Sequence, residues 1–369
     1  MRVCYFGTYE KAYPRNAIFV EGLKQNGVTV FECHAPLWEK TQSKGKDFGF
    51  SLSFLFSVII AQAKLLFQYL FLTPKHDVII VGYIGQLDIY LAKILAYICR
   101  KKLVFNPLIS LYDTVIADRG YFETTSLKSR LFRFLDMSAC KLSDLVLLDT
   151  AAHIQYFQNQ LELKEVNFKR IPVGADDRIF FPISSESHDK FHVMFIGKFI
   201  PLHGIEKLVE AAYILKTEDE IKFTFIGTGQ LRDSIETNIR KRNMENVQMV
   251  DWVPYYKLSE KMSEADLILG IFGDSDKAKR VIPNKVYQGL AVNRPVLTAE
   301  TDAINELLIS DEHIFSCEAT PTTIADKIVS IYKNTSHRKK VATKGYQFFL
   351  DHLSVEKLGA ELKECLYSI

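Results

Sequence analysis

The stretch FHVMFIGKFIPLHGIEKLVEAAYIL, Phe191 to Leu215, decides the fold. It opens as an apolar run, breaks at Gly197, turns through Pro201 and Gly204, and continues with apolar residues at helical spacing. A near-continuous apolar strand is one covered on both faces. A strand that runs through a glycine loop into an amphipathic helix is the repeating step of a parallel sheet with crossover helices. The same step recurs in both directions. Downstream come IKFTFIGTG, NVQMVDWV, ADLILGIF and RPVLTAET; upstream lie RVCYFGT, VTVFECHA, DVIIVGY, KLVFNPL and LVLLDT.

Between the two series, Lys169 to Lys190 is rich in Pro, Ser and Asp and has no helical period, so it reads as a connection. The expected fold is therefore α/β, with two doubly wound Rossmann-like domains facing a cleft. Residues 1–175 form the first domain, 176–190 the linker and 191–352 the second domain. Residues 353–369, with Val355, Leu358, Leu362 and Leu366 at helical spacing, form a C-terminal helix packing back on the first domain. Ligands of such sheets bind outside the carboxyl ends of the strands.

At 369 residues the chain exceeds one ordinary core, and a formal net charge of +2 gives no reason to expect nucleic acid as a partner. The six cysteines make no C-x-x-C pair, which points to a reducing cytoplasm rather than a disulfide framework. The nine histidines lack metal-ligand spacing, so no metal is expected. MRVCYFGTYE reads as a strand entering a turn, not as a leader peptide.

Phe48 to Leu72 carries one charge, Lys64, and is long enough to cross a bilayer. Ser53, Ser57, Ala61, Lys64 and Gln68 make a narrow polar stripe, and strands lie on both sides, so a true span would split the sheet. Two readings are preferred to such a span. It is a crossover helix buried on its own sheet, or its wide apolar face makes peripheral membrane contact through residues 48–72, with Lys40, Lys44 and Lys46 meeting anionic headgroups.

Candidate binding groups gather at βα turns. In GKFIPLHG, Gly197 and Gly204 precede a helix N-terminus, and Lys198 and His203 add positive charge; the bland reading is a plain βα connection. IGTGQL brings Gly227 and Gly229 but lacks the third glycine of a dinucleotide fingerprint. In VDWVPYYKL a flat base can lie against Trp252 and pair with the backbone near Val253, unless Trp252 is rim packing. In FGDSDKAKRVIPNKVYQGLA, Pro283 suits a first helical turn, leaving the N–H groups of Asn284, Lys285 and Val286 for phosphate. Lys277, Lys279, Arg280 and Lys285 crowd that helix mouth, which favours an anion there over a merely solvated basic loop. In the first domain, Gly7, Tyr13, Arg15 and Asn16 lie in the first βα turn. Asp113, Asp118 and Arg119 follow the fourth strand, where a carboxylate can take a proton from a substrate hydroxyl.

In order and spacing, IPVGADDRIFFP, FIGKFIPLHGIEKLVEAA, FTFIGTGQL, VDWVPYYKLSEKMSEADLILGIFG and IPNKVYQGLAVNRPVLT resemble the retaining nucleotide-sugar glycosyltransferases with the GT-B fold, the large group 1 family. The resemblance runs from about Ile171 to Leu307 and includes Glu306. It implies transfer of a sugar from a nucleoside diphosphate donor to an acceptor hydroxyl of a glycan or lipid-linked glycan, without a cofactor and usually without metal. It also implies that the first domain holds the acceptor and the second the donor. Lys198 matches the family's basic residue after the glycine, and His203 stands where a lysine is usual. Val253 matches the residue whose backbone meets the base, and Asn284 and Lys285 match the amides that meet the diphosphate. Two family glutamates are replaced by Arg280 and Gln288. Gln288 can still bond a ribose hydroxyl, whereas Arg280 can hold phosphate but accepts nothing. The resemblance thus places Asp113, Lys198 and Arg280 in catalysis. It places Gly197, His203, Gly204, Gly227, Gly229, Trp252, Val253, Lys279, Pro283, Asn284, Lys285 and Gln288 at the donor. Gly7, Tyr13, Arg15, Asn16, Asp118 and Arg119 fall to the acceptor. The expected location is the cytoplasm, with the inner face of the cell membrane as the alternative within it. The competing readings are a GT-B epimerase or inverting transferase, and a non-catalytic scaffold that binds nucleotide-sugar or glycan.

Overall fold

The computed structural model describes residues 1–38, 52–118, 121–184 and 189–369, with backbone only at 117–118. Lys40, Lys44, Lys46 and Arg119 lie outside the described residues. The chain divides into two compact units, Met1–Val173 with Val355–Ile369, and Gly174–Ser354.

The first unit runs β1 (Arg2–Gly7), α1 (Pro14–Gln25), β2 (Thr29–His34), α2 (Leu52–Phe71), β3 (Val78–Val81), α3 (Asp88–Cys99) and β4 (Lys102–Phe105). A π-helical turn (Asp113–Asp118), α4 (Leu127–Leu142), β5 (Leu145–Leu148), α5 (Ala151–Gln160) and β6 (Phe168–Arg170) follow. Its strands form one six-stranded sheet in the order β2-β1-β3-β4-β5-β6, and every pairing is parallel. The strand order reverses between β1 and β3, which is where a ligand crevice opens in such sheets.

The second unit runs β7 (Phe191–Ile196), α6 (Ile205–Ile214), β8 (Ile221–Ile226), α7 (Arg232–Lys241), β9 (Val247–Val250), α8 (Leu258–Ser263) and β10 (Leu267–Leu269). It continues through α9 (Asp276–Arg280), α10 (Asn284–Ala291), β11 (Val296–Ala299), α11 (Asp302–Asn305), β12 (Phe315–Cys317), α12 (Pro321–Lys333) and α13 (Thr335–His352). The parallel order is β12-β11-β10-β7-β8-β9, so the reversal lies between β7 and β10. Residues 174–184, expected in or beside a linker, belong to this unit. Phe180 is fully buried there and meets Tyr255 edge-on at 5.3 Å.

The periodicity of the C-terminal segment forms α14 (Val355–Tyr367), which lies against α1 in the first unit. Val355, Leu358, Leu362 and Leu366 join the core on that face of the sheet. The two helices touch through glycines: a Cβ on Gly359 would stand 2.2 Å from the backbone of Gly22. On the sheet's other face lie α2, α3, α4 and α5. There α2 buries only Ala61, Leu65 and Tyr69, one narrow stripe of its length. It is the one helix among the described residues long and apolar enough to cross a membrane, with a mean hydropathy of 1.7. The strands on either side of it, β2 and β3, both pair with β1.

Alanine in place of glycine within a helix normally gains about 1 kcal/mol. At Gly359 the methyl would meet main chain, which cannot step aside as a side chain can. Gly359→Ala is therefore expected to destabilise the protein by about 1–3 kcal/mol in urea unfolding. An unchanged or raised midpoint would show that α1 and α14 separate without cost.

Candidate functional site

The second unit's sheet reverses between β7 and β10, and their loops are knitted together there. Gly204 adopts φ 64°, and a Cβ on it would stand 2.4 Å from the backbone of Phe272. A Cβ on Gly273 would meet the Leu202 carbonyl oxygen at 2.3 Å, and the Phe272 N–H donates to the His203 carbonyl at 3.0 Å. The next loop approaches as closely, since a Cβ on Gly227 would be 1.9 Å from the Gly197 carbonyl oxygen. Arg232 fixes that loop by donating to the Gly227 and Val250 carbonyls at 2.7 and 2.9 Å. Gly229 packs its backbone on Phe199. Four of the predicted donor residues, Gly197, Gly204, Gly227 and Gly229, thus form one cradle with little side-chain bulk.

Lys285 comes up beneath this cradle from α10. It is 6% exposed, and its Nζ has no hydrogen-bond partner. The amine sits 3.6 Å from the centre of the Phe195 ring and 2.7 Å from where a Gly197 Cβ would be. The His203 ring lies 3.2 Å from the same point. Burial holds the Lys285 amine well below its ordinary 10.5. His203 is likewise held well below 6.5, first by burial and then by the nearby Lys285. Its Nδ1–H donates to the Lys198 carbonyl at 2.6 Å, which leaves Nε2 as the acceptor of a neutral ring. The expectation that His203 adds positive charge is corrected: an imidazole beside a buried amine is neutral.

A second correction concerns the start of α10. Pro283 is the N-cap, with ψ 148°, and not the first helical residue. Its carbonyl accepts from Val286 N–H at 2.9 Å, so that amide is taken; Asn284 and Lys285 supply the first-turn amides. Nor do four cations crowd one exposed mouth, because Lys277 and Lys285 are buried while Lys279 is exposed. Ser275 caps α9 through the Ala278 N–H, and α9, ending in half-buried Arg280, packs beside the turn at Pro201–His203. Lys198 is exposed on the cradle loop and Gln288 is buried in α10. Trp252, 70% exposed, and half-buried Val253 follow the edge strand β9, at the same carboxyl end of the sheet as the cradle.

The first-unit expectations fare differently. Arg15 is fully buried, stacks on Phe19 at 4.2 Å and donates to Asn106 and to the Ile171 and Pro172 carbonyls. Asn16 accepts from the Tyr5 hydroxyl and the Tyr83 N–H and donates to the Glu10 and Tyr83 carbonyls. Both side chains hold the start of α1 in shape from inside the unit. A buried polar group needs partners inside, and these contacts supply them for Arg15 Nε and Nη1 and for the Asn16 amide. Tyr13 is half-buried against Tyr83, ring centres 4.6 Å apart. Gly7 gives room to Asp88, whose Oδ2 would be 2.7 Å from a Gly7 Cβ. Asp113 is buried at the start of the π-helical turn, and Asp118 ends it. That loop hangs on buried Asp136, which accepts from Ser110 Oγ and the Leu111 and Tyr112 N–H groups; burial pushes its carboxyl up to about 6.

Sequence reading missed two buried polar clusters. Asp88 binds Thr8 through both N–H and hydroxyl and accepts from Gln62. Asp149 and His153 pair at 2.8 Å beyond β5. The i,i+4 spacing of Asp149 and His153 was a usable signal, whereas nothing local links Thr8 to Asp88.

Residues 190–334 match the family described as Glycosyl transferases group 1. Sucrose-phosphate synthase from Thermosynechococcus elongatus superposes with a TM-score of 0.76 at 13% identity, covering 100% of this chain and 98% of that one. HepE from Anabaena, in complex with UDP-glucose, gives 0.69 at 17% identity, with full coverage of both chains at 100%. A glycosyltransferase from Rickettsia africae gives 0.68 at 11% identity, covering 99% and 97%. No curated protein matches the chain. Among the described residues there is no group of three or more His, Cys, Asp or Glu that could hold a metal.

A buried amine without a partner opposes folding while it is ionised, so Lys285→Met is expected to stabilise the ligand-free protein near pH 7 by about 1–3 kcal/mol. The native amine is depressed below its unfolded value of 10.5, so the unfolded chain binds the extra proton. Stability should therefore rise as pH climbs from the native value towards 10.5, and Lys285→Met should flatten that rise. Urea melts at several pH values read both effects; a less stable variant with an unaltered pH slope would contradict the desolvated amine.

Proposed function

We propose, from the GT-B fold and from the match of residues 190–334 to the family described as Glycosyl transferases group 1, that the protein moves a sugar from a nucleoside diphosphate sugar to an acceptor hydroxyl. One observation carries the reading: the desolvated, unpartnered Lys285 amine beneath the glycine cradle at the reversal of the second sheet. A diphosphate there gives the amine its missing partner, and charge-assisted bonds are the strong ones. The first-turn amides of α10, Lys198 and Arg280 add donors around it. In the transfer, the bond from the sugar's anomeric carbon to the diphosphate oxygen breaks and its electron pair leaves with the diphosphate. The acceptor oxygen then bonds the anomeric carbon. Retention follows if the acceptor enters on the face the diphosphate leaves, so that a departing oxygen takes the hydroxyl proton. Cationic side chains, in place of a metal ion, compensate the growing charge.

The HepE complex contains UDP-glucose, which supports a uridine donor here. Gln288 is the group proposed for a ribose hydroxyl, and Trp252 with Val253 for the base. The proposed acceptor is a glycan or lipid-linked glycan met at the inner face of the cell membrane. The free cysteines support a reducing compartment, and the exposed side of α2 supports peripheral attachment.

The test is nucleoside diphosphate release from UDP-, GDP-, ADP- and dTDP-sugars, with Lys198→Ala and Arg280→Ala alongside. One donor should turn over, and each variant should lose roughly 10²–10³-fold in rate, as removal of a single charge-stabilising donor does. Binding without turnover on any acceptor would favour a non-catalytic scaffold, for which the Arg280 and Gln288 replacements are the specific support. No binding of any donor would end the reading.

A further inference from the structure

On one face of the first unit's sheet, α2, α3 and α4 lie side by side. Their outer surfaces are apolar to a degree that water does not favour. On α2, Phe56, Ile59, Phe67 and Phe71 are each more than half exposed. On α3, Ile94, Tyr97 and Ile98 are exposed, and on α4, Leu127 and Phe134. Scattered exposed leucines need no explanation, but large apolar side chains shared by three adjacent helices make a patch, and a patch marks a docking surface.

Charge decides what docks. The three helices carry carboxylates only at Asp88 and Asp136, and both are buried and hydrogen-bonded inside. Their exposed or half-exposed charges are all positive, among them Lys64, Lys93, Lys128 and Arg130. The turn from α3 to β4 adds Arg100, Lys101 and Lys102 in succession. With Lys93, Tyr97 and Ile98 these line an open groove of about 630 Å³. Its one acid, Asp144, already accepts from the Leu103 N–H at 2.7 Å. A chain of net charge +2 has thus sorted its charges, leaving this layer cationic around an apolar centre. A bilayer surface with anionic phosphates above hydrocarbon complements that pattern in both respects. A protein partner would have to be an apolar, acidic surface.

We propose that α2, α3 and α4 form a single face that docks on an anionic phospholipid bilayer, with α2 lying in the interface plane and the α3–β4 groove taking a headgroup phosphate. The inference deepens the peripheral attachment proposed above and rests on it for the side from which acceptor arrives. It adds that attachment needs α3 and α4 as well as α2, and that it is selective for negative lipid.

Flotation of the full chain with vesicles tests it, using phosphatidylcholine alone and phosphatidylcholine mixed with phosphatidylglycerol. Strong flotation is expected only with the mixed vesicles, and salt should weaken it. Reversing Lys93, Lys101 and Lys102 to glutamate should lower partitioning by at least roughly a hundredfold, since each cation contributes about a fivefold factor near an anionic surface. Phe56→Asp with Phe67→Asp should abolish flotation, while thermal melting shows both variants folded. Flotation equal on neutral vesicles, or unaltered by the glutamates, would overturn the headgroup groove. No flotation, with a dimer in light scattering that Phe67→Asp dissociates, would show that a second copy covers the face instead. Donor turnover measured without vesicles separates the readings: turnover without flotation sinks only the docking face, and flotation without turnover sinks only the transferase.

Discussion

A side chain at residue 227 would put its first carbon 1.9 Å from the carbonyl oxygen of Gly197. That near-contact of two backbones is the constraint on which the second unit's site depends. The loops after β7 and β8 can meet main chain to main chain because glycines put no Cβ between them. The loop after β10 closes on the first in the same way, through Gly204 and Gly273. Arg232 then fixes two carbonyls at the ends of β8 and β9. The rigidity of the cradle comes from this packing, so its donors are in place before anything binds.

The same closeness explains the state of Lys285. Glycine at 197 leaves a space that the amine fills, over the Phe195 ring and out of reach of water or any acceptor. A cation–π contact with Phe195 contributes on the order of 1–2 kcal/mol, less than the several kcal/mol needed to strip an ammonium of its water. Desolvation wins, which is why the amine is held below its usual range. His203 obeys the same balance and stays neutral, with its Nδ1–H pinned by the Lys198 carbonyl. An anion in the cradle would oppose that desolvation and favour the protonated form of both groups.

The alternation of apolar runs with amphipathic segments made the fold legible in the sequence. Parallel strands buried on both faces leave a pattern that no side-chain detail can hide. The cradle glycines were legible for the same reason, because glycine at a βα turn has a backbone cause. What could not be read was burial at the ends of long side chains. Arg15 and Asn16 stand in a turn that faces a crevice, yet Arg15 reaches back to the carbonyls of Ile171 and Pro172, some hundred and fifty positions away in the chain. Lys285 looked like one more cation at a helix mouth; only the absence of a side chain at Gly197 sends its amine inward. Pro283 suited the first helical turn by its missing N–H, but its extended ψ makes it the residue before that turn.

The two units break the usual rules of burial in opposite senses. The second holds a cationic group away from water, and the first holds hydrocarbon in it. Neither violation is relieved within its own unit: Lys285 has no internal acceptor, and α2 buries only the stripe through Ala61, Leu65 and Tyr69. A fold that depended on neither would replace the lysine with methionine and the outward phenylalanines with polar residues, each change stabilising the isolated chain. Stability therefore cannot be what these residues serve. Their chemistry specifies what does relieve them: a compact, multiply charged anion for the amine, and an apolar medium with an anionic surface for the helices. The proposed donor's diphosphate would meet the first specification and the proposed bilayer the second, and an acceptor borne on that bilayer would bring the two together in one molecule.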